Sequence, residues 1–316
     1  MSSVIHRGIC QTLKIKYIAT ILLFITPFTV LASWKKGESE HFRVYYQHGI
    51  VDSASILQIA EIFYAEVPRI TRYISDEKIE IKVCDTPKAF QASIHAPIQD
   101  WAVGCAFPLS RRIIIQNPSQ ITQAKLQVAQ VLRHEIAHVL FGQYTQKAGK
   151  GVPLWFVEGI AIHLAKEWVP SRHETLLKHV FSKSIIPLHQ LTDKFPTLHT
   201  GADLAYAQSQ DALRWFVQVY GIESLWTIID RLHNGMDLNS AFEAVLGYNL
   251  EVFDKLWQES LPQRYHWASF LSSSYVFWAG LGGLFILSYF ICWNRRRKQL
   301  NQLTEQENTI DPFFRE

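Results

Sequence analysis

One segment decides the fold: Val131-Leu132-Arg133-His134-Glu135-Ile136-Ala137-His138-Val139-Leu140 carries the pattern His-Glu-x-x-His within a helical apolar periodicity. Pro and Gly are absent from Gln123 to Phe141, which is typical of a buried helix. Histidines four positions apart share one face of a helix, so both rings can reach one tetrahedral Zn²⁺. Glu135 lies where it can take a proton from water that such an ion activates. The segment therefore predicts a zinc site on a buried helix, with a chance occurrence of the pattern as the alternative.

A third protein ligand is expected from the next helix. Pro153-Leu154-Trp155-Phe156-Val157-Glu158-Gly159-Ile160-Ala161 follows after a glycine-bounded loop, and Pro153 suits a helix start. Glu158 is a lone carboxylate on an apolar helix face, which requires either a cation or protonation. Two helices joined by a short loop can pack antiparallel and bring Glu158 to His134 and His138. The sequence therefore predicts these three residues as metal ligands, with a buried structural glutamate as the alternative.

The composition limits the class of protein. The chain has 316 residues, 48% of them hydrophobic, and can bury a sizeable core in one large or two small domains. Its net charge of +3 is small and comes partly from one basic run. The chain therefore lacks the strong positive charge that is typical of nucleic-acid-binding proteins. Only two of the four cysteines, Cys84 and Cys105, lie in the central region. They form either one disulfide, if their strands are neighbours, or two buried free thiols.

The two ends of the chain predict export and membrane anchoring. Residues 1–32 have a basic flank, a short apolar run and small residues at the end, as in a secretory signal peptide, and an uncleaved anchor is the alternative. Residues 269–293 carry no charge, and the part from Tyr275 to Trp293 is long enough for a transmembrane helix. Because the basic run Arg295-Arg296-Arg297-Lys298 follows, residues 294–316 are expected to form a cytoplasmic tail. Domain 33–265 is then extracytoplasmic, either periplasmic or extracellular.

Strand patterns precede the His-Glu helix, and helical patterns follow it. The predicted strands are His41–Tyr46, Ile79–Val83, Trp101–Phe107 and Arg112–Gln116. The other predicted helices are Ala54–Ile74, Lys88–Ser93, Leu204–Tyr220, Ile222–Asp230, Leu238–Leu246 and Leu250–Leu261. The span from Pro170 to Thr200 is polar and poorly periodic, which predicts a loop-rich lid over the cleft. The predicted fold is therefore α+β, with a strand-bearing N-terminal lobe, a helical lobe and one C-terminal transmembrane helix.

The two metal motifs together resemble a known family. His134-Glu135-x-x-His138 followed by Trp155-Phe156-x-Glu158-Gly159-x-Ala161 is similar to the gluzincin zinc metallopeptidases, and more closely to the bacterial peptidase MA-like domains. The resemblance covers approximately Glu40 to Leu261. It implies a zincin-like fold, a Zn²⁺ cofactor, and a peptide or protein substrate. A strand such as Val103–Phe107 can pair with an extended substrate backbone.

The resemblance also implies roles for single residues. His134, His138 and Glu158 are expected to bind zinc, and Glu135 is expected to act as general base and then as general acid. Tyr206 opens a later helix, and its phenol is expected to stabilise the oxyanion by donating a hydrogen bond. Because the spacing does not fix the direction of Tyr206, ordinary aromatic packing is the alternative.

One position departs from the family pattern. Residue 162 is Ile, so the turn after Glu158 has no carboxylate to orient a ligand imidazole, and another group, such as a backbone carbonyl, has to do so. Two functions therefore stay open. The first is a membrane-anchored zinc metallopeptidase that hydrolyses peptide bonds with Glu135 as base. The second is an exported zinc-binding pseudopeptidase that acts as a binding or assembly module.

Overall fold

The structure, a computed structural model, describes residues 34–47, 53–94, 102–117, 128–266 and 274–310. Within these ranges the side chains of residues 150, 274–277 and 306–310 are not described. The predicted signal peptide, residues 1–32, lies outside the described residues, as do residues 311–316 of the predicted tail.

A five-stranded mixed sheet forms the N-terminal lobe. Its strands are β1 (Lys35–Glu38), β2 (Phe42–Tyr46), β3 (Ile79–Cys84), β4 (Gly104–Phe107) and β5 (Arg112–Gln116), in the spatial order β1-β2-β3-β5-β4. Strands β2, β3 and β5 run parallel, whereas β1 and β4 are antiparallel to β2 and β5. Buried residues alternate along β2 and the first part of β3, so one face of each strand points into the core. The four strands predicted from the sequence are confirmed, and β1 is an additional strand.

Helices pack on this sheet and form the second lobe. The N-terminal lobe contains α1 (Ser53–Glu66), α2 (Pro68–Thr71) and α3 (Pro87–Ile94). The helical lobe contains α4 (Val128–Tyr144), α5 (Leu154–Leu164), α6 (Pro170–Phe181), α7 (His199–Tyr220), α8 (Ile222–His233), α9 (Leu238–Leu246) and α10 (Leu250–Arg264). The single helix predicted from Ala54 to Ile74 is interrupted at Pro68, because proline has no N–H to continue the hydrogen-bond ladder.

Helix α4 connects the two lobes. It contacts β4 and β5 on one side and α5 on the other, and its side chains Leu132, Ile136 and Leu140 are fully buried. Helix α5 in turn packs closely on α7 at Gly159, where an added Cβ would lie 2.9 Å from the carbonyl oxygen of Ser209. The core therefore fixes α4 and α5 side by side, which is the arrangement that the metal motif requires.

The loop-rich span predicted from Pro170 to Thr200 is wrong for its first part, and its role as a lid over the cleft stays a prediction. The first part forms α6, which has Pro170 in its first turn and buries Leu176 and Leu177. The following segment is held by Gln208, whose side chain accepts from the backbone N–H of Ile186 at 3.0 Å and donates to its carbonyl oxygen at 2.6 Å. Leu188, Leu191 and Phe195 are also buried, so the segment packs as part of the helical lobe although its apolar residues do not follow one helical period.

Of the two possibilities for Cys84 and Cys105, the structure has free thiols and no disulfide between them; Cys84 is buried as expected, and Cys105 is half-buried. Cys84 ends β3 and Cys105 lies in β4, but β5 runs between these two strands. Neighbouring strands are about 4.8 Å apart, so β3 and β4 are separated by roughly 10 Å. That separation exceeds the Cα distance of about 7 Å at which a disulfide can still form.

A further helix, α11 (Ser274–Ile310), follows the helical lobe. Among the residues whose side chains are described, no helix is long and apolar enough to cross a membrane. The structure therefore does not support the transmembrane helix predicted at 269–293, of which residues 269–273 lie outside the described part.

Candidate metal centre

Helices α4 and α5 bring the three predicted ligands together. Nε2 of His134 lies 3.0 Å from Nε2 of His138, and Oε2 of Glu158 lies 3.4 Å from each of these nitrogens. Zinc binds such ligands at about 2.0–2.1 Å in a tetrahedron, so its ligand atoms are about 3.3 Å apart. The three atoms therefore form a triangle whose size matches one face of a zinc coordination tetrahedron.

The electrostatics of this triangle favour a cation at its centre. Oε2 of Glu158 is buried and accepts no hydrogen bond from any described residue, which is costly unless a cation compensates it. Burial alone would raise the pKa of Glu158, but the imidazoles of His138 and His134 hold it below its usual value. Burial alone would lower the pKa of His134, but Glu158 and Glu167 raise it to about 10. Both shifts show that these side chains stabilise positive charge.

The side chain of Glu135, on α4, lies against the edge strand β4. Its side chain is buried, and an added Cβ on Gly104 would lie 2.4 Å from Oε1 of Glu135. Only glycine therefore leaves room for the carboxylate against this strand. Burial raises the pKa of Glu135, and the imidazoles of His134 and His138 partly oppose the shift. A carboxyl group with a raised pKa is suited to accept and return a proton near neutral pH.

Glu167 places a carboxylate beside His134, which position 162 does not. Its Oε2 lies 2.9 Å from Nδ1 of His134, the ring nitrogen that does not face the other ligands. Its Oε1 lies 2.7 Å from Nη2 of Arg172. The group beside this imidazole is therefore a carboxylate and not a backbone carbonyl, the example named above.

Comparison with known proteins assigns the chain to a family. The chain matches the family model described as the Peptidase MA superfamily over residues 65–263, which is more than half of its length. The chain belongs to the Peptidase MA superfamily. Comparison with curated proteins gives no match, and neither does comparison with solved structures. The part of the predicted resemblance before residue 65 stays a prediction.

The end of α5 explains how this Peptidase MA domain positions Glu167. Lys166 adopts a left-handed conformation with a φ of 52°. This allows the N–H of Glu167 to bond back to the carbonyl oxygen of Ile162 at 3.0 Å, as in a Schellman helix end. Gln210 on α7 donates to the carbonyl oxygen of Glu167 at 3.1 Å. This turn is not predicted by local sequence patterns, because glycine usually takes the left-handed position and here a lysine does.

Tyr206 borders the metal centre of the Peptidase MA domain from α7. Its ring packs edge-on against Phe195 with the ring centroids 5.1 Å apart, and the guanidinium of Arg172 lies 5.6 Å from its ring centroid. Burial, and then the negative charges of Glu158 and Glu135, raise the pKa of Tyr206 well above its usual value. The phenol therefore keeps its proton. The aromatic packing proposed as the alternative is observed, and the role as hydrogen-bond donor stays a prediction.

The local charge also fits a divalent metal. The carboxylates of Glu135, Glu158 and Glu167 are all buried. The guanidinium of Arg172 pairs with one of them, that of Glu167. With neutral histidines, the three carboxylates and the guanidinium of Arg172 together carry a formal charge of −2, which a divalent cation would balance. Two imidazoles and one carboxylate are also a donor set of the catalytic type for zinc, which leaves one coordination position for water or substrate.

Proposed function

We propose that this protein is a zinc-dependent metallopeptidase that hydrolyses peptide bonds. The observation that carries the proposal is the triangle of ligand atoms from His134, His138 and Glu158, with the buried carboxylate of Glu135 beside it. Membership of the Peptidase MA superfamily supports the peptidase-like class. Two histidines and a glutamate support zinc as the metal, since such sites occur in zinc peptidases.

In the proposed reaction Glu135 transfers a proton from the attacking water to the leaving amine. When bound, Zn²⁺ would polarise the scissile carbonyl group and lower the pKa of the attacking water. Glu135 takes the proton from that water as general base and gives it to the leaving amine as general acid. Its burial against Gly104 keeps bulk water from the carboxylate and raises its pKa, which supports both roles.

Tyr206 is proposed to stabilise the oxyanion that forms on the carbonyl oxygen. Its high pKa keeps the phenol protonated, so the hydroxyl carries the proton that a hydrogen-bond donor needs. Hydrogen-bond donors placed beforehand at such a position are typically worth a factor of about 10² to 10³ in rate. The edge-on contact with Phe195 holds the ring of Tyr206 in place.

An extended peptide is the substrate that the neighbouring strand suits. Strand β4 pairs with β5 on one side and has no strand partner on its other side within the described sheet. Gly104 in this strand lies directly beside Glu135. A substrate backbone that adds to the free edge of β4 would thus run past the proposed general base, which is a common mode of peptide binding.

Two observations favour a zinc-binding pseudopeptidase: the missing carboxylate at Ile162, and Tyr206, whose direction the spacing does not fix. Glu167 now supplies a carboxylate 2.9 Å from His134, so we favour the active enzyme. Export of the domain stays a prediction from residues 1–32.

The proposal is tested with the purified full-length chain. We expect about one zinc per chain and hydrolysis of at least some members of a diverse library of fluorogenic peptides. Dialysis against a strong chelator should abolish hydrolysis, and added zinc should restore it. Zinc bound without any hydrolysis would favour the pseudopeptidase, and absence of zinc binding would contradict both functions.

A further inference from the structure

We propose that Arg172 is a positioning residue that sets the zinc affinity of the site without contacting the metal. It would hold Glu167 against His134 and at the same time support the ring of Tyr206. The inference rests on the proposed function, because it requires zinc at the three-ligand site. It adds a residue on a separate helix, α6, to the groups that determine how the site works.

The first step is a chain of contacts that begins at α6. Nη2 of Arg172 lies 2.7 Å from Oε1 of Glu167, and Oε2 of the same carboxylate lies 2.9 Å from Nδ1 of His134. Glu167 thus uses one oxygen for each partner. Its side chain is only 5% exposed and that of Arg172 only 17% exposed, so water provides little alternative hydrogen bonding.

The second step concerns the orientation of the ligand. A carboxylate beside Nδ1 favours the tautomer that carries its proton there, which leaves Nε2 of His134 free to bind a metal. Without Arg172, Oε1 of Glu167 would lose its charged partner and the carboxylate would be free to turn away from the imidazole. The ligand would then be less well ordered before zinc arrives, and the affinity would fall.

The third step links Arg172 to the other side of the site. Its guanidinium lies 5.6 Å from the ring centroid of Tyr206, a distance typical of a cation–π contact. Nη1 of Arg172 is buried and donates no hydrogen bond to the described residues. The ring face of Tyr206 therefore offers an attractive neighbour to this part of the guanidinium, so one side chain contacts both the orienting carboxylate and the proposed oxyanion donor.

Helix α6 gives Arg172 a fixed position. The helix begins at Pro170, and the N–H of Arg172 bonds to the carbonyl oxygen of Val169 at 3.0 Å. Leu176 and Leu177 anchor the same helix in the core. Because this anchor does not depend on the guanidinium, a variant at position 172 should keep the fold.

Arg133 offers a closely matched control. Its side chain is 20% exposed, its Nη2 lies 2.6 Å from Oε2 of Glu66, and its guanidinium lies 4.8 Å from the ring centroid of Phe63. Arg133 and Arg172 therefore share burial, an ion pair with a glutamate and a contact with an aromatic ring. Only the glutamate that pairs with Arg172 lies against a metal ligand.

The experiment measures zinc affinity of the full-length chain by competition with a chromophoric chelator. We expect Arg172→Met and Glu167→Gln each to bind zinc about 10- to 100-fold more weakly than the unchanged protein, as for other residues that orient a metal ligand. Arg133→Met should bind zinc with unchanged affinity. Arg172→Lys keeps the charge but not the planar fork, so its affinity should lie between those of Arg172→Met and the unchanged protein.

The double variant Glu167→Gln/Arg172→Met decides how Arg172 acts. If Arg172 acts through Glu167, the double variant should bind zinc no more weakly than Glu167→Gln alone. Two independent losses that multiply, or an Arg172→Met variant that binds zinc as tightly as Arg133→Met, would overturn the inference. Failure of the unchanged protein to bind zinc would instead overturn the proposed function, and the inference with it.

Discussion

The carboxylate of Glu167 lies 2.9 Å from Nδ1 of His134. Glu167 follows another ligand, Glu158, by nine positions in the same segment. The left-handed turn at Lys166 makes this contact possible, because it reverses the chain at the end of α5. The third ligand and the side chain that orients the first ligand therefore come from one helix and its C-terminal turn. This arrangement compensates for Ile162, which has no carboxylate.

Removal of the third ligand should abolish stable zinc binding. Glu158→Gln keeps the size of the side chain but removes its charge, so the buried site loses one anionic donor. We expect the zinc content of the purified chain, measured by elemental analysis after dialysis, to fall from about one to near zero. Glu259→Gln changes an exposed glutamate and should retain zinc. Full zinc content in Glu158→Gln would exclude Glu158 as a ligand.

Gly104 is expected to be required for activity and not for zinc binding. In Gly104→Ala the new Cβ would lie 2.4 Å from Oε1 of Glu135, so the carboxylate has to move. Misplacement of a reacting group by about 1 Å can reduce a rate by about 10². We expect kcat to fall by about that factor while zinc affinity stays unchanged.

Gly282→Ala is the control for this substitution, since no heavy atom lies within 4 Å of the added Cβ among the described residues. It should leave both kcat and zinc affinity unchanged. Normal kcat in Gly104→Ala would show that the position of Glu135 beside β4 is not important.

Loss of the Tyr206 hydroxyl should affect the reaction more than the fold. Tyr206→Phe keeps the ring that packs on Phe195 and faces Arg172. We expect kcat/KM to fall by about 10² to 10³, the usual effect of removing one oxyanion donor, while zinc affinity changes little. Tyr73→Phe alters an exposed ring and should behave as the unchanged protein. Equal kinetics of the two variants would assign Tyr206 to packing alone.

Asp211 should make stability depend on acid. This carboxylate is 3% exposed and accepts hydrogen bonds from Trp257, Tyr265 and Arg264. Burial alone would raise the pKa of Asp211, but Arg264 and Tyr265 hold it below its usual value of 3.8. The unfolded chain therefore binds more protons in this range, so the contribution of Asp211 is present above about pH 4 and is lost as the pH falls through the native pKa.

Urea unfolding measured across this pH range tests the prediction. Asp211→Asn leaves the half-buried Arg264 without its charged partner and weakens the hydrogen bonds to a buried carboxylate, so it should lower the free energy of unfolding at pH 7 by about 1.5–3 kcal/mol. It should also reduce the dependence of stability on pH below about pH 4. Asp193→Asn, at an exposed position, should change neither quantity. An unchanged pH dependence in Asp211→Asn would contradict the assignment.

Local sequence patterns predicted much of the fold and the three ligands. The alternation of apolar residues marked the strands, and the spacing of His134 and His138 placed both rings on one helix face. Other features depend on tertiary structure. Strand β5 separates Cys84 from Cys105 because of the order of strands in the sheet, which neither local sequence specifies. The contact of Glu167 with His134 depends on the left-handed conformation of Lys166, which the presence of a lysine does not predict.

The role of Glu135 is the central claim, and one comparison tests it most directly. Glu135→Gln keeps the shape of the side chain but cannot accept the proton of the attacking water. The full-length variant should bind about one zinc, as the unchanged protein is expected to do, and its kcat for a cleaved fluorogenic peptide should fall by a factor of about 10² or more. Cleavage at the original rate by zinc-loaded Glu135→Gln would contradict the proposed mechanism.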